Sequence, residues 1–203
     1  MNLIHTRVVA KLKCAVMASL ISPACGWAEA PRWTLLVEPS FMDYEIRRSI
    51  ADSQRTILAV TRVDGQEITP LTREQKRGIP ITYAQILEEA QQSASATLAS
   101  LTPTFTRDRR GVIEYALLES ENPLTASTVL APDFAERFSK TLGPDLLVAM
   151  PNRFQVFVFS RQDQAYQQMG EAIIAAYISA TYPVSREIFA LENGRLRSLG
   201  VLQ

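Results

Sequence analysis

Asn152 and Arg153 are the residues of this 203-residue chain whose types and position most favour binding chemistry. They follow Pro151 in a short polar interruption between two apolar runs, so we expect them in a turn between two strands. An arginine guanidinium is a planar donor that matches a carboxylate or phosphate in a bidentate pair. One interpretation is therefore a ligand-binding site for a small anion. The alternative is a plain hairpin turn with Arg153 pointing into water.

Carboxylates are the second group of side chains that could do chemistry. Hydrolysis of a glycoside requires two carboxyl groups about 5–10 Å apart in a cleft. The sequence gives no such distance for its candidates, Glu114, Glu119, Glu121 and Asp145. We therefore assign no catalytic residue, and we keep a cofactor-free hydrolase that uses a carboxylate acid–base pair as the alternative function.

The first thirty residues have the layout of a cleaved secretory signal peptide. A basic start without acids precedes a short apolar run over residues 14–21, and Ala28-Glu29-Ala30 gives a small-x-small cleavage pattern. The apolar run is much shorter than the roughly 20 residues that span a bilayer. We predict cleavage after Ala30, no transmembrane segment afterwards, and a periplasmic or secreted location. Lipidation at Cys25 is the rival, although Ser22 occupies the position where lipoprotein signals usually carry an aliphatic residue.

Cleavage would also remove the side chains of most familiar active sites. The only histidine, His5, and both cysteines, Cys14 and Cys25, lie within residues 1–30. Removal of three basic residues and one acidic residue leaves 173 residues with 18 basic and 20 acidic side chains. Such a chain has no thiol nucleophile, no Ser-His-Asp triad and no typical zinc or haem ligand set. We predict no metal and no cofactor. The slight negative charge also argues against nucleic acid as a partner.

The elements that must position these residues are predicted from periodicity and turn signals. Residues 31–203 are expected to form one α+β domain. In its first half we predict loops over 70–80 and 104–111 and strands over 33–38, 55–63 and 112–118. Thr82 and Gln85 form a capping box before an amphipathic helix over 83–101.

From residue 131 the predicted order is α-β-β-α-β-β. The helices are expected over 131–142 and 160–181, and the strands over 145–150, 154–159, 187–191 and 195–199. Asn193-Gly194 is the strongest short signal for a tight hairpin turn. Strand pairs between helices favour an antiparallel or mixed sheet with three main helices packed on it.

Several stretches between residues 81 and 199 carry a family resemblance. They include the helix that begins at Thr82-Tyr-Ala-Gln85, the run Leu147-Val-Ala-Met-Pro-Asn-Arg153, and Pro183-Val-Ser-Arg-Glu-Ile-Phe189 with Asn193-Gly194 after it. The segment resembles the YtpQ-like family of bacterial proteins, a domain of unknown function. The resemblance implies an α+β fold and supplies no activity. Two departures are Phe154, where the family often has an acid, and the secretory signal.

These observations lead to an exported protein of unknown function. Our leading hypothesis is a non-enzymatic binding or accessory protein of the cell envelope, whose partner is an unknown protein or a small anionic ligand. The hydrolase described above is the alternative. A subunit of a larger envelope or secretion machine is a third possibility.

Overall fold

The computed structural model describes residues 32–65, 67–162 and 165–203. The predicted signal peptide, its cleavage point after Ala30 and Cys25 lie outside these residues. The described chain forms two antiparallel sheets with helices packed against them, and this confirms the predicted α+β class.

The first sheet is built around one long strand, β3. Its strands are β1 (Arg32–Pro39), β2 (Arg47–Ser49), β3 (Thr56–Asp64) and β4 (Glu67–Pro70). The whole of β1 pairs with β3, and β2 and β4 both pair with the other edge of β3. A tight turn at Asp64-Gly65 joins β3 to β4, and Gly65 takes a positive φ of 60° there.

A short helix, α1 (Arg73–Gly78), occupies the segment that we expected to be a loop over 70–80. That prediction is wrong for a physical reason. Thr72 and Gln75 form a capping box, but α1 buries none of its residues, so no apolar stripe marks it in the sequence.

The next helix, α2 (Tyr83–Ser100), matches the predicted helix over 83–101. Its capping box joins Thr82 to Gln85, as expected. It packs against β1, and its buried residues are Ile86, Ala90, Ala94, Thr97 and Leu98.

The second sheet has six strands in the order β10-β9-β7-β8-β6-β5. Their bounds are Thr104–Arg107 for β5, Ile113–Glu119 for β6, Leu146–Asn152 for β7, Gln155–Ser160 for β8, Glu187–Glu192 for β9 and Arg195–Val201 for β10. The predicted loop over 104–111 is therefore wrong for its first four residues, which form the edge strand β5. Both predicted hairpins, β7–β8 and β9–β10, are confirmed.

Helices cover both faces of the second sheet. A 3₁₀ turn (Ala126–Leu130) and α3 (Phe134–Leu142) lie on one face. The other face carries α4 (Ala165–Gln168) and α5 (Gly170–Ile178). The single helix predicted over 160–181 is wrong, because the helix breaks at Met169 and restarts at Gly170, next to Leu202.

One apolar cluster bridges the two sheets, while separate clusters pack α2 against the first sheet and α4 and α5 against the second. The largest buried cluster contains Val37 of β1 and Ile50 of the loop between β2 and β3. It also contains Val148, Val158 and Phe189 from the second sheet. This shared core fixes the end of β1 beside the β7–β8 turn, where Asn152 and Arg153 lie.

Candidate functional site

Asn152 lies at the end of β7 and closes the turn into β8. Its Nδ2 donates hydrogen bonds to Oε1 of Gln155 at 2.9 Å and to the carbonyl oxygen of Ala176 at 3.4 Å. Its Oδ1 accepts a hydrogen bond from the backbone N–H of Phe154 at 2.9 Å. Asn152 therefore holds the turn together and ties it to α5.

Arg153 forms an ion pair with a carboxylate of its own chain. Its Nε donates a hydrogen bond to Oε1 of Glu38 at 2.6 Å, and the two side chains are 17% and 3% exposed. The alternative in which Arg153 points into water is therefore wrong. The guanidinium does bind a carboxylate, as its chemistry predicts, and in the structure that carboxylate belongs to β1.

Two tyrosines complete the surroundings of Arg153. Its Nη2 donates to the Tyr44 hydroxyl at 3.4 Å, and its guanidinium lies 5.0 Å from the ring centroid of Tyr182, a cation–π contact. We call Glu38, Tyr44, Arg153 and Tyr182 the Arg153 cluster. Because Glu38 neutralises the arginine, an added anion would have to compete with a buried carboxylate for the guanidinium.

The cluster shifts the titration of its own members. Burial, followed by the negative charge of Glu38, raises the pKa of Tyr44. Burial opposes the charge on Arg153, but the hydrogen bond and the negative charge of Glu38 outweigh it, so the pKa of Arg153 is raised. The arginine therefore stays charged, and Tyr44 stays neutral beside it.

An open pocket of about 480 Å³ lies beside the turn, lined by Glu119, Ser120, Glu121 and Phe154. The Phe154 ring meets the Tyr182 ring edge-on, with centroids 6.0 Å apart. Nε2 of Gln155 donates to Oε1 of Glu119 at 2.5 Å. The structure thus brings together two of the four candidate carboxylates at one pocket.

The other two candidates lie away from this pocket. Glu114 is in β6, and Asp145 precedes β7, where its backbone carbonyl accepts a hydrogen bond from the N–H of Arg161 at 2.8 Å. Neither lines the pocket of Glu119 and Glu121.

Glu187 is a buried carboxylate that the sequence reasoning missed. It is 2% exposed and accepts hydrogen bonds from the hydroxyls of Thr56 at 2.6 Å, Ser53 at 2.7 Å and Ser198 at 3.0 Å. The backbone N–H of Gln54 adds a fourth at 3.3 Å. These bonds join the start of β3 in the first sheet to β9 and β10 in the second. Glu187 therefore links the two sheets, and its buried carboxylate is not accessible to a substrate.

The described residues contain no group of three or more His, Cys, Asp or Glu side chains that could hold a metal ion. Within the same residues, no helix has the length and apolar character needed to cross a membrane. Comparisons with known protein families, curated proteins and solved structures found no match for this chain. The resemblance to the YtpQ-like family stays a prediction.

Proposed function

We propose that this chain is an exported, non-enzymatic binding or accessory protein of the cell envelope. The observation that carries the proposal is an exposed apolar surface beside a closed, charge-paired cluster. Ile178 is 74% exposed and Tyr182 is 48% exposed, next to an arginine already paired with Glu38. Large exposed apolar side chains that lie together commonly mark an interaction site.

The side chains near this surface also favour binding over catalysis. The residues after 30 contain no His and no Cys. Arg153 and Asn152 are engaged inside the fold, where they shape the surface and hold the turn rigid. A rigid turn is a good support for a binding surface because little entropy is lost when a partner docks.

Export can be tested by expressing the full chain in a bacterial host and sequencing the protein in the periplasmic fraction. We expect a mature chain that begins at Pro31. A lipid-modified Cys25 would support the rival processing, and a cytoplasmic chain that retains Met1 would contradict export.

Binding can be tested with the mature protein as bait in an envelope extract. We expect Ile178→Ser and Tyr182→Ser to lose a partner that the wild-type protein retains. Val112→Ser is the matched control, because Val112 is an exposed apolar residue in the β5–β6 turn, outside the proposed surface. Equal recovery with all three variants would contradict the proposal.

A cofactor-free hydrolase is the second candidate, favoured by the pocket that Glu119 and Glu121 share. We would assay ester, phosphate and glycoside substrates with the wild-type protein, Glu119→Gln and Glu121→Gln. Activity that both variants lose while remaining folded would replace the binding proposal.

A further inference from the structure

The helix α5 is apolar nearly all round, yet Ala172, Ala175 and Ile178 on one side of it are exposed. Seven of its nine residues are apolar, and only Gly170 and Ile173 are buried. A helix that is apolar on every side normally lies inside a protein core. The exposed side of α5 is therefore as apolar as a surface that another molecule covers.

The exposed apolar residues of α5 are followed in the chain by a residue that reaches the pocket beside the β7–β8 turn. Ala172, Ala175 and Ile178 recur every three residues along α5, and Tyr182 lies in the segment after the helix ends. The backbone N–H of Arg153 donates to the carbonyl of Tyr182 at 3.2 Å. The Tyr182 ring then contacts Phe154, which lines the pocket. We call Ala172, Ala175, Ile178, Tyr182 and Phe154 the α5 surface.

Carboxylates stand at both ends of the α5 surface. Glu171 lies in the first turn of α5, and Glu119 and Glu121 line the pocket at the other end. Within the described residues none of the three carboxylates takes part in an ion pair. The positive charge of Arg153 is balanced by the carboxylate of Glu38. One cation, Arg186, lies 5.8 Å from the ring of Tyr177 at the side of the helix. The surface is thus apolar in the middle and negative at its ends.

This charge pattern selects among possible occupants. Anionic lipids would be repelled by the three carboxylates. A second copy would bring another apolar surface, and its carboxylates would also repel those of the first copy. A segment with apolar residues in line and Lys or Arg beyond them satisfies both parts of the surface.

Resting on the proposed binding function, we propose that the α5 surface docks a basic amphipathic segment of a partner protein. Its apolar side chains cover Ala175, Ile178 and Tyr182, and a Lys or Arg side chain enters the pocket between Phe154 and the carboxylates of Glu119 and Glu121. An aromatic ring with nearby carboxylates suits such a cation.

The probe is a labelled synthetic amphipathic peptide of Leu and Lys, and its twin carries Glu in place of Lys. We would titrate each with the mature protein and follow fluorescence anisotropy at low and high salt. We expect the Lys peptide to bind, more weakly at high salt, and its twin not to bind. Ile178→Ser and the double variant Glu119→Gln/Glu121→Gln should each weaken binding by roughly tenfold. Val112→Ser should bind as the wild-type protein does.

Several outcomes would overturn the inference. These are equal binding of both peptides, unchanged binding by Ile178→Ser, a dimer of the wild-type protein that Ile178→Ser dissociates, or binding to phosphatidylglycerol vesicles that Ile178→Ser abolishes. If the peptides fail but Ile178→Ser still loses the envelope partner, the proposed function stands and only the basic character of the partner is wrong. Circular dichroism of each variant shows that loss of binding is not loss of folding.

Discussion

Removing one partner of the Glu38–Arg153 ion pair should lower the free energy of unfolding more than replacing both partners by apolar side chains does. Arg153→Met would leave the Glu38 carboxylate, only 3% exposed, without its cation. Removing one partner of a buried pair typically costs about 3–5 kcal/mol, because the remaining charge is uncompensated. We expect a loss near the lower end, about 3 kcal/mol, because water still reaches part of Arg153. Urea denaturation measures the free energy of unfolding.

The double variant Glu38→Leu/Arg153→Met is the control for that interpretation. It removes both charges and keeps apolar side chains in their place, so we expect it to recover much of the lost free energy of unfolding. If the double variant were as unstable as Arg153→Met plus Glu38→Leu added together, the pair would not be coupled.

Tyr44 makes the stability depend on alkaline pH. Burial and the charge of Glu38 raise its pKa above the ordinary value of 10.0. The folded protein therefore keeps the phenol proton to a higher pH than the unfolded chain does. This contribution is fully present below about pH 10 and is lost as the pH rises through the folded pKa.

We expect the free energy of unfolding of Tyr44→Phe to fall less at alkaline pH than that of the wild-type protein. The remainder should persist because burial also raises the pKa of Tyr83, against the opposing charge of Arg48. Urea denaturation at a series of alkaline pH values measures both parts. Parallel curves for the wild-type protein and Tyr44→Phe would contradict the assignment.

At the residue scale, the predicted ligand site at Asn152 and Arg153 stays a prediction, and the internal partner of Arg153 was not foreseen. A planar guanidinium in a turn indicates a carboxylate ligand, whereas Glu38 lies 115 residues upstream. Only the packing of the two sheets brings them together. A weak signal was present, since Glu38 ends an apolar strand and a carboxylate there needs a partner once buried. Glu187 carries the same signal at the start of β9.

The two capping boxes allow a matched test at the scale of the element. Thr82→Ala removes the acceptor for the N–H of Gln85 at the start of α2, a helix with five buried residues. We expect a global loss of about 1 kcal/mol. Thr72→Ala removes the same bond from α1, which has no buried residue, so its effect should stay local.

Hydrogen exchange separates the two results. Thr72→Ala should speed exchange only within α1, and Thr82→Ala should lower protection throughout the core. Equal loss of global stability in both variants would mean that α1 is coupled to the core.

The elements that the sequence predicted well are those with a buried stripe. An apolar repeat follows the capping box of α2, and none follows that of α1, so only α2 could be recognised. The strand β5 was missed because it is a short edge strand with exposed residues. The break between α4 and α5 was missed because apolar residues continue on both sides of Gly170.

At the scale of the whole molecule, the sequence predicted the class and not the arrangement. Two sheets form where one was expected, because β3 closes a sheet with the strands nearest to it in sequence. In the second sheet, β7 pairs with both β8 and β9, although a helical segment separates β8 from β9. Such pairings depend on long-range packing that local patterns do not contain.

The shared core and the bonds of Glu187 should make the two sheets unfold together. Trp33, the only tryptophan after residue 30, lies in β1 and reports on the first sheet. Far-ultraviolet circular dichroism reports on the whole fold. We expect the two urea curves to coincide. Glu187→Ala would remove the acceptor that the hydroxyls of Ser53, Thr56 and Ser198 share and cost about 3 kcal/mol. Ser53 could still donate to the carbonyl of Thr56, and Thr56 to the hydroxyl of Ser185.

That loss should shift both urea curves equally, since Glu187 links the two sheets. The matched control is Glu171→Ala, which removes an exposed carboxylate and should change stability by less than about 0.5 kcal/mol. If Glu187→Ala moved the Trp33 curve alone, the first sheet would be a separate folding unit. Val37, Ile50 and Phe189 belong to the one apolar cluster that bridges both sheets. Because these side chains are packed against one another, unfolding of one sheet would expose apolar side chains of the other sheet, so we expect a common shift.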